Sequence, residues 1–315
     1  MAVPSNTYQT YQTVGIREDL EDLIYNIAPT ETPFINSIDK VSATQTNHEW
    51  QTDTLATPAT NAQIEGDDAT ADAATATVRL GNYTQIFRKV PQVAGTDIIV
   101  KSAGRKNELN YQIAKRGMEL RRDIENAVVG ANTAKSAGNA TTARYLGSYD
   151  AWVATNVSKA SDGTNPSPVD GSDARGDGTQ RAFTEDLLKA VLQGCWTSGG
   201  DPTVIMTGAF NKRILSTFTG NATRFVDAKT DTLNAAIAVY ESDYGQLKVV
   251  PNRFSRTRDV LVVDPKYWGL AYLRPMQVQD LSKTGDSDRK MLIAELTLVA
   301  RNEAASGLVA DLTTS

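Results

Sequence analysis

The sequence predicts a mixed α+β chain whose strands and helices occupy separate stretches, with part of the strand content lying away from any compact body. Three observations lead there. Leu109, Ile113, Leu120, Ile124 and Val128 recur at helical spacing along one face of a long stretch beginning near Gly104. Residues 78–88 alternate at strand period, with Val78, Leu80, Thr84, Ile86 and Arg88 on one side and Arg79, Tyr83, Gln85 and Phe87 on the other. Between these signals and the first apolar helix, residues 52–77 contain 15 Ala or Thr among 26 positions, too little large apolar surface for a core.

The elements follow in order. Leu20, Leu23, Ile24 and Ile27 form an apolar stripe on a first helix, which Pro29 stops, and Pro33 keeps the next stretch from resuming it. The stripe needs a surface to pack against. From Thr44 to Val93 the chain makes a long two-stranded excursion: NHEWQTD runs out and residues 78–88 return, with an acidic knot at Asp67, Asp68 and Asp72 between them. A two-stranded ribbon is marginal in water, so one this long is expected to lie on its own body or on another molecule.

The long helix covers about 24 residues, roughly 36 Å at the standard rise. Lys115 with Glu119 and Arg121 with Glu125 are positioned to brace its wet face, and Gly130 and Asn132 end it. Residues 155–181 are turn-formers without aromatic residue, leucine or isoleucine and read as a surface loop or flexible insertion. Thr184 caps a helix with Glu185 and Asp186 in its first turn and Leu187, Leu188, Val191 and Leu192 facing inward. A compact αβ region follows: DPTVIMTG reads as a buried strand, AFNKRILSTF as a helix, LNAAIAVY as another, and LKVVPNRFSRTRDVLVVD as a hairpin with a seven-residue connection. AELTLVA and SGLVADL read as closing strands.

The bulk numbers exclude several functions. The 315 residues carry 32 basic and 37 acidic side chains, a net charge of -5, which argues against a chain that mainly grips phosphates. Mean hydropathy is -0.35, and no apolar run is long enough to span a membrane. The first residues lack the basic start and apolar run of a signal peptide, so a cytoplasmic product is expected. One cysteine, Cys195, and one histidine, His48, leave too few ligands for a zinc site and no internal disulfide.

Single residues that invite a catalytic reading also have plainer ones. His48 would have to serve as the base of any hydrolase, yet it sits in an alternating strand beside Glu49 and Trp50. Cys195 lies among Leu192, Gln193 and Trp196, the setting of a small buried hydrophobe. Asp162, Asp170, Asp173 and Asp177 suggest calcium, but the twelfth position counted from Asp170 is Arg181 where an EF-hand needs glutamate. Arg105, Lys106, Lys115, Arg116, Arg121 and Arg122 could face nucleic acid, but Glu108, Glu119, Asp123 and Glu125 are interleaved with them. No catalytic site, cofactor site or metal site is assigned.

The order of arm, core-poor ribbon, long helix, αβ unit and closing strands resembles the major capsid proteins of tailed double-stranded DNA bacteriophages with the Hong Kong 97-like fold. The resemblance is carried by REDLEDLIYNIAPTETPFINSI followed by HEWQTD, which place Pro29, Thr32, Pro33, Phe34, His48 and Trp50 in a "P-x-x-T-P-F" turn and an "H-x-W" strand. SAGRKNELNYQIAKRGMELRRDIENAV is similar to the family's spine helix, YGQLKVVPNRF with VLVVDPKYWGLAYLRP to its axial-domain strands, and ARNEAASGLVADL to its closing strand.

This resemblance implies an N-terminal arm at 1–43, an extended loop at 44–93, and a peripheral domain at 94–182 with a spine helix at about 104–130 and a flexible insertion. It further implies an axial domain at 183–282 and closing strands at 283–315 that return to the peripheral domain. The function implied is structural: pentamers and hexamers of this chain closing an icosahedral head shell around DNA. A separate scaffolding protein and a portal are implied partners, a decoration protein is left open, and contact with packaged DNA is weak and nonspecific. Some relatives cross-link through a loop lysine, but residues 51–88 contain none. The expected contact residues are Leu20, Leu23, Ile24, Ile27, Phe34 and Ile35 on the arm, packing beneath the spine helix or on an adjacent copy, and Trp50, Asp67, Asp68, Arg79, Tyr83 and Phe87 on the ribbon. The alternative is a non-capsid structural or adhesion component, such as a tail or surface-layer protein, suggested by Thr/Ala richness and the Arg175-Gly176-Asp177 tripeptide.

Overall fold

The computed structural model describes residues 31–68, 71–100, 107–218 and 239–315. In chain order the elements are α1 (Pro33–Ser37), β1 (Asp39–Ser42), β2 (Asn47–Thr52), β3 (Val78–Tyr83), β4 (Gln85–Lys89), β5 (Gln92–Ala94), α2 (Gly95–Ile99), α3 (Glu108–Val129), α4 (Tyr149–Trp152) and β6 (Val157–Ser158). Then come α5 (Glu185–Thr197), β7 (Val204–Thr207), α6 (Ala209–Leu215), β8 (Val239–Ser242), β9 (Gly245–Pro251), β10 (Val260–Val263), β11 (Trp268–Asp280), β12 (Ser287–Ala300) and β13 (Gly307–Val309). The stripe of Leu20, Leu23, Ile24 and Ile27, and the basic residues Arg105 and Lys106, lie outside the described residues.

One sheet runs β1-β11-β12-β4, with β5 also on β12. The long helix α3 covers it, because Leu120, Ile124 and Val128 can bury only against an apolar face, and Phe87, Leu292, Ala294 and Leu296 supply one. Asn107 caps α3, accepting the Asn110 N–H at 3.1 Å, so the described helix starts at Glu108. Neither i,i+4 pair expected on its wet face, Lys115 with Glu119 or Arg121 with Glu125, closes to salt-bridge distance among the described residues, and Glu125 is buried, though the Arg121 charge still acts on it. Arg116 pairs with Glu119 at 2.6 Å instead, and Arg121 donates to Asn36 at 3.0 Å. Pro33 opens the short helix α1, where its missing N–H costs nothing.

The other large sheet runs β6-β13-β10-β7-β9-β8. Helix α5 lies on it through Leu188, Val191, Leu192 and Cys195, against Ile205, Val260, Val262 and Val309. The approach is close: a Cβ on Gly307 would sit 2.3 Å from Val191 Cγ1, so β13 needs glycine there. The hairpin expected over 247–263 does not form. β7 lies between β9 and β10, parallel to the first and antiparallel to the second. The helix expected over LNAAIAVY is corrected where it is described: Val239 and Tyr240 belong to β8, which turns tightly into β9.

The boundary expected at 282/283 does not coincide with a sheet boundary. β11 and β12 pair along most of their lengths in the first sheet, whereas β13 joins the second between β6 and β10. The insertion at 155–181 is woven into the body. Arg175 is 4% exposed, and Thr164 and Gly176 exchange backbone hydrogen bonds at 2.9 and 3.1 Å.

Candidate assembly surfaces

The ribbon begins as the antiparallel pair β2–β3, in which His48 faces Asn82 and Trp50 faces Leu80. Its root is riveted to the body. Trp50 sits 5.3 Å from the ring of Trp152, and Lys135 Nζ donates to the carbonyls of Gly81 and Asp170 at 2.9 and 2.6 Å. Buried Asn82 donates to Leu298 O at 2.8 Å and Gly147 O at 3.2 Å, and accepts the Gly147 N–H at 2.8 Å. Both amide N–H groups and the side-chain oxygen thus have partners, which is why a buried asparagine is tolerated here.

Beyond Tyr83 the returning limb changes partner. Thr84 gives its N–H to Thr46 O at 2.8 Å and its hydroxyl to Glu295 at 2.9 Å, and the next strand, β4, pairs with β12. The expected unbroken alternation therefore inverts: Asn82 and Thr84 are buried on the even side, then Phe87 on the odd side while Ile86 and Arg88 are exposed. Glu295 is also held by Arg144 and by Arg274, the latter at 2.8 Å.

Outward from Thr52 the two limbs carry no ladder, and among described residues 53–77 every side chain is exposed. Leu55 is 99% and Ile64 80% exposed. At the tip, Asp67 N–H closes a turn on Ile64 O at 3.1 Å, with Gly66 at φ 85, and Asp67 and Asp68 point into solvent. Arg79 faces solvent near Glu49 at 3.6 Å.

The candidate contact residues divide accordingly. Asp67, Asp68 and Arg79 are exposed, and Trp50 and Tyr83 are half-buried at the ribbon root. Phe34 and Ile35 are buried beneath α3, the first of the two places expected for them, while Phe87, expected at a contact between copies, is buried in the protomer's own core. Phe34 packs edge-on to Tyr149 at 5.8 Å and Trp268 at 6.3 Å, beneath α3.

Where the arm enters, Glu125, expected on the wet face of the helix beside Arg121, is instead fully buried. Its carboxylate accepts the N–H groups of Phe34 at 2.8 Å and Ile35 at 3.0 Å, and Asn252 Nδ2 at 2.7 Å. One buried side chain thus joins α1, α3 and the loop after β9. Burial pushes its carboxyl above the ordinary value, while these donors pull it back. A signal existed: Glu125 lies four residues before Val129 and three before Val128, on the buried side of the helix. Beside this junction, a groove of 220 Å³ is lined by Ile35, Ile124, Ala294, Tyr272 and Met276 and edged by Lys40 and Arg121.

The remaining candidates have structural partners. His48 has no carboxylate partner among the described residues, and burial lowers its imidazole below the usual value. Cys195 is fully buried, its thiol pushed up to about 12 by desolvation. Asp162 accepts from Thr179, Asp170 from Ser172, Asp173 from the Ser167 N–H and Asp177 from Arg256, so the four acids serve separate turns and ties. Arg175 points inward to Asn165 at 2.7 Å and to the Val153 carbonyl, so of the adhesion tripeptide the arginine is buried while Asp177 is exposed.

Comparison with known proteins agrees with this architecture. The family model for the SU10 major capsid protein matches residues 3–313. The major capsid protein of Escherichia phage Phieco32 is 28% identical over 347 residues, covering 98% of this chain and 97% of that one. Among solved structures, the Cyanophage A-1(L) capsid asymmetric unit superposes with a TM-score of 0.65 at 15% identity, covering 97% of this chain and 98% of that one. The capsid of the native GTA particle gives 0.66 at 11% identity, covering 96% and 98%. The fold is the Hong Kong 97-like fold of phage capsids. With the family model spanning nearly the whole chain, the protein belongs to the SU10 major capsid protein family.

Proposed function

We propose that this structural component of the phage head shell is held there chiefly by its ribbon, which lies across a neighbouring copy. The observation that carries the reading is the full exposure of Leu55 and Ile64 on a stretch with no core and no ladder of its own. Isolated, such a stretch loses conformational entropy on ordering with little to offset it; laid on a neighbour, it buries both side chains and gains backbone partners. Repeated in every copy, moderate contacts of this kind close a shell with collective stability. The acidic tip at Asp67 and Asp68 matches in charge the groove edged by Lys40 and Arg121. With no lysine in residues 51–88, cohesion is noncovalent along this segment. Pentamers and hexamers are the assembly units, and a scaffolding protein and portal the partners that start and shape closure.

The double substitution Leu55→Asp with Ile64→Asp tests this. Neither side chain touches the protomer's core, so circular dichroism and thermal unfolding of the subunit are expected to stay unchanged. Sedimentation and electron microscopy are expected to show subunits or small oligomers in place of closed shells. Shells of normal size and yield would overturn the reading.

A further inference from the structure

Away from the ribbon, acidic and basic side chains from separate parts of the chain meet where α4, the insertion loop and the loop before β10 converge. Asp150 on α4 is fully buried, and Asp259 at the foot of β10 is 1% exposed. No oxygen of either carboxylate accepts a hydrogen bond among the described residues. Arg256 is the cation nearest both: its Nη1 lies 2.9 Å from Asp259 Oδ2 and 4.0 Å from Asp150 Oδ2. Its Nη2 is already committed to Asp177, at 2.6 and 2.7 Å.

The other charges facing this cluster have partners of their own. Arg175 donates to Asn165 and the Val153 carbonyl. Arg258 bridges Asp177 at 3.0 Å and Asp311 at 2.9 Å, while Asp311 also accepts the Ala160 and Gly178 N–H groups. Arg181 reaches Ser158 at 2.9 Å.

An ionised carboxylate buried without a hydrogen-bond donor is costly, and two of them sharing one partly committed guanidinium repel each other as well. Retaining a proton removes one charge and supplies a donor. We propose that the Asp150–Asp259 pair retains a proton at neutral pH, making the joint between α4, the insertion loop and β10 a clamp that weakens as pH rises. Desolvation is the leading cause in both residues: it pushes Asp259 up to about 8, aided by the Asp150 charge, and Asp150 up to about 6, against the pull of Arg256 and Arg175.

The direction of the linkage follows. Folded values above the ordinary aspartate value mean that the folded chain holds more protons than the unfolded chain between about pH 4 and about pH 8. Stability from this pair is therefore greatest in acid and declines as pH rises through that window. For one retained proton the folded-to-unfolded ratio falls about tenfold per pH unit. Buried Glu125, also raised, adds a component of the same sign.

Thermal unfolding of the full chain across this range, compared between wild type and Asp259→Asn, is the test. The wild-type midpoint is expected to fall steadily from about pH 5 to about pH 8 and to level off above it. The variant, whose amide cannot ionise, is expected to show a flatter profile and to lose the infrared carbonyl band of a protonated carboxyl group at neutral pH. Should the variant fail to fold, the wild-type band alone decides: present at neutral pH and lost in mild alkali supports the clamp. Parallel profiles, or no such band in wild type at neutral pH, would overturn it.

Discussion

Glu125→Ala is expected to destabilise the protomer by about 3 kcal/mol, read as a lowered urea midpoint with an unchanged slope. The carboxylate receives the Phe34 and Ile35 N–H groups and the Asn252 amide, and alanine leaves all three donors inside the protein without an acceptor. Each such orphan costs about 1–3 kcal/mol, and release of a buried carboxylate from its own desolvation penalty offsets part of the sum. Glu125→Gln separates hydrogen bonding from charge. Its carbonyl can keep one or two of the donors, but its NH₂ faces the third, so a smaller loss of about 1–2 kcal/mol is expected. Equal losses for the two variants would show that the charge, and not the count of acceptors, holds the junction.

Phe34→Ala is expected to cost about 3–5 kcal/mol, the range for deleting a fully buried aromatic ring. The ring has no exposure and fills the angle between Tyr149 and Trp268, under Leu120 and Ile124 of α3. Those rings belong to rigid elements, since Tyr149 is itself tied through its hydroxyl to the Val262 and Gly307 carbonyls at 3.0 and 3.1 Å. The site therefore collapses little and keeps most of the cavity. Because the Phe34 N–H also binds Glu125, the double variant is expected to lose less than the sum of the two single changes. Full additivity, measured by urea unfolding of all three variants, would mean that core and junction act independently.

Much of the architecture was legible because its signals are local. The spacing of Leu120, Ile124 and Val128 specifies a helix wherever it lands, and the uninterrupted apolar run Val204–Met206 specifies a strand buried on both faces. What failed was non-local. Residues 247–263 look like a hairpin because two apolar runs are joined by a short polar connection, and nothing in those residues reveals that β7 has been laid between them. The inversion at Thr84 depends on Glu295, which lies 211 positions away. The insertion at 155–181 lacks large apolar groups and so read as a surface loop. Its order comes instead from polar ties such as Arg175 to Asn165 and Asp162 to Thr179, which hydrophobic patterning does not register.

The candidate contact residues illustrate the same divide. Asp67, Asp68 and Arg79 were legible as surface because charge seeks water, and they are exposed. Phe34 lies under α3, one of the two places its sequence context allows, whereas Phe87, expected at a contact between copies because the ribbon has little core of its own, is buried in the core under α3. Poverty of apolar residues in residues 52–77 did correctly mark a segment without packing of its own.

Hydrogen exchange read peptide by peptide over residues 53–77, in the free subunit and in assembled shells, tests the central claim most directly. Amides of this segment are predicted to exchange at nearly unprotected rates in the subunit, while β10 and β12 are protected in both states, and to slow markedly in the shell. Protection of residues 53–77 already present in the isolated subunit, or rates that do not change on assembly, would contradict the claim that the ribbon is ordered by a neighbouring copy.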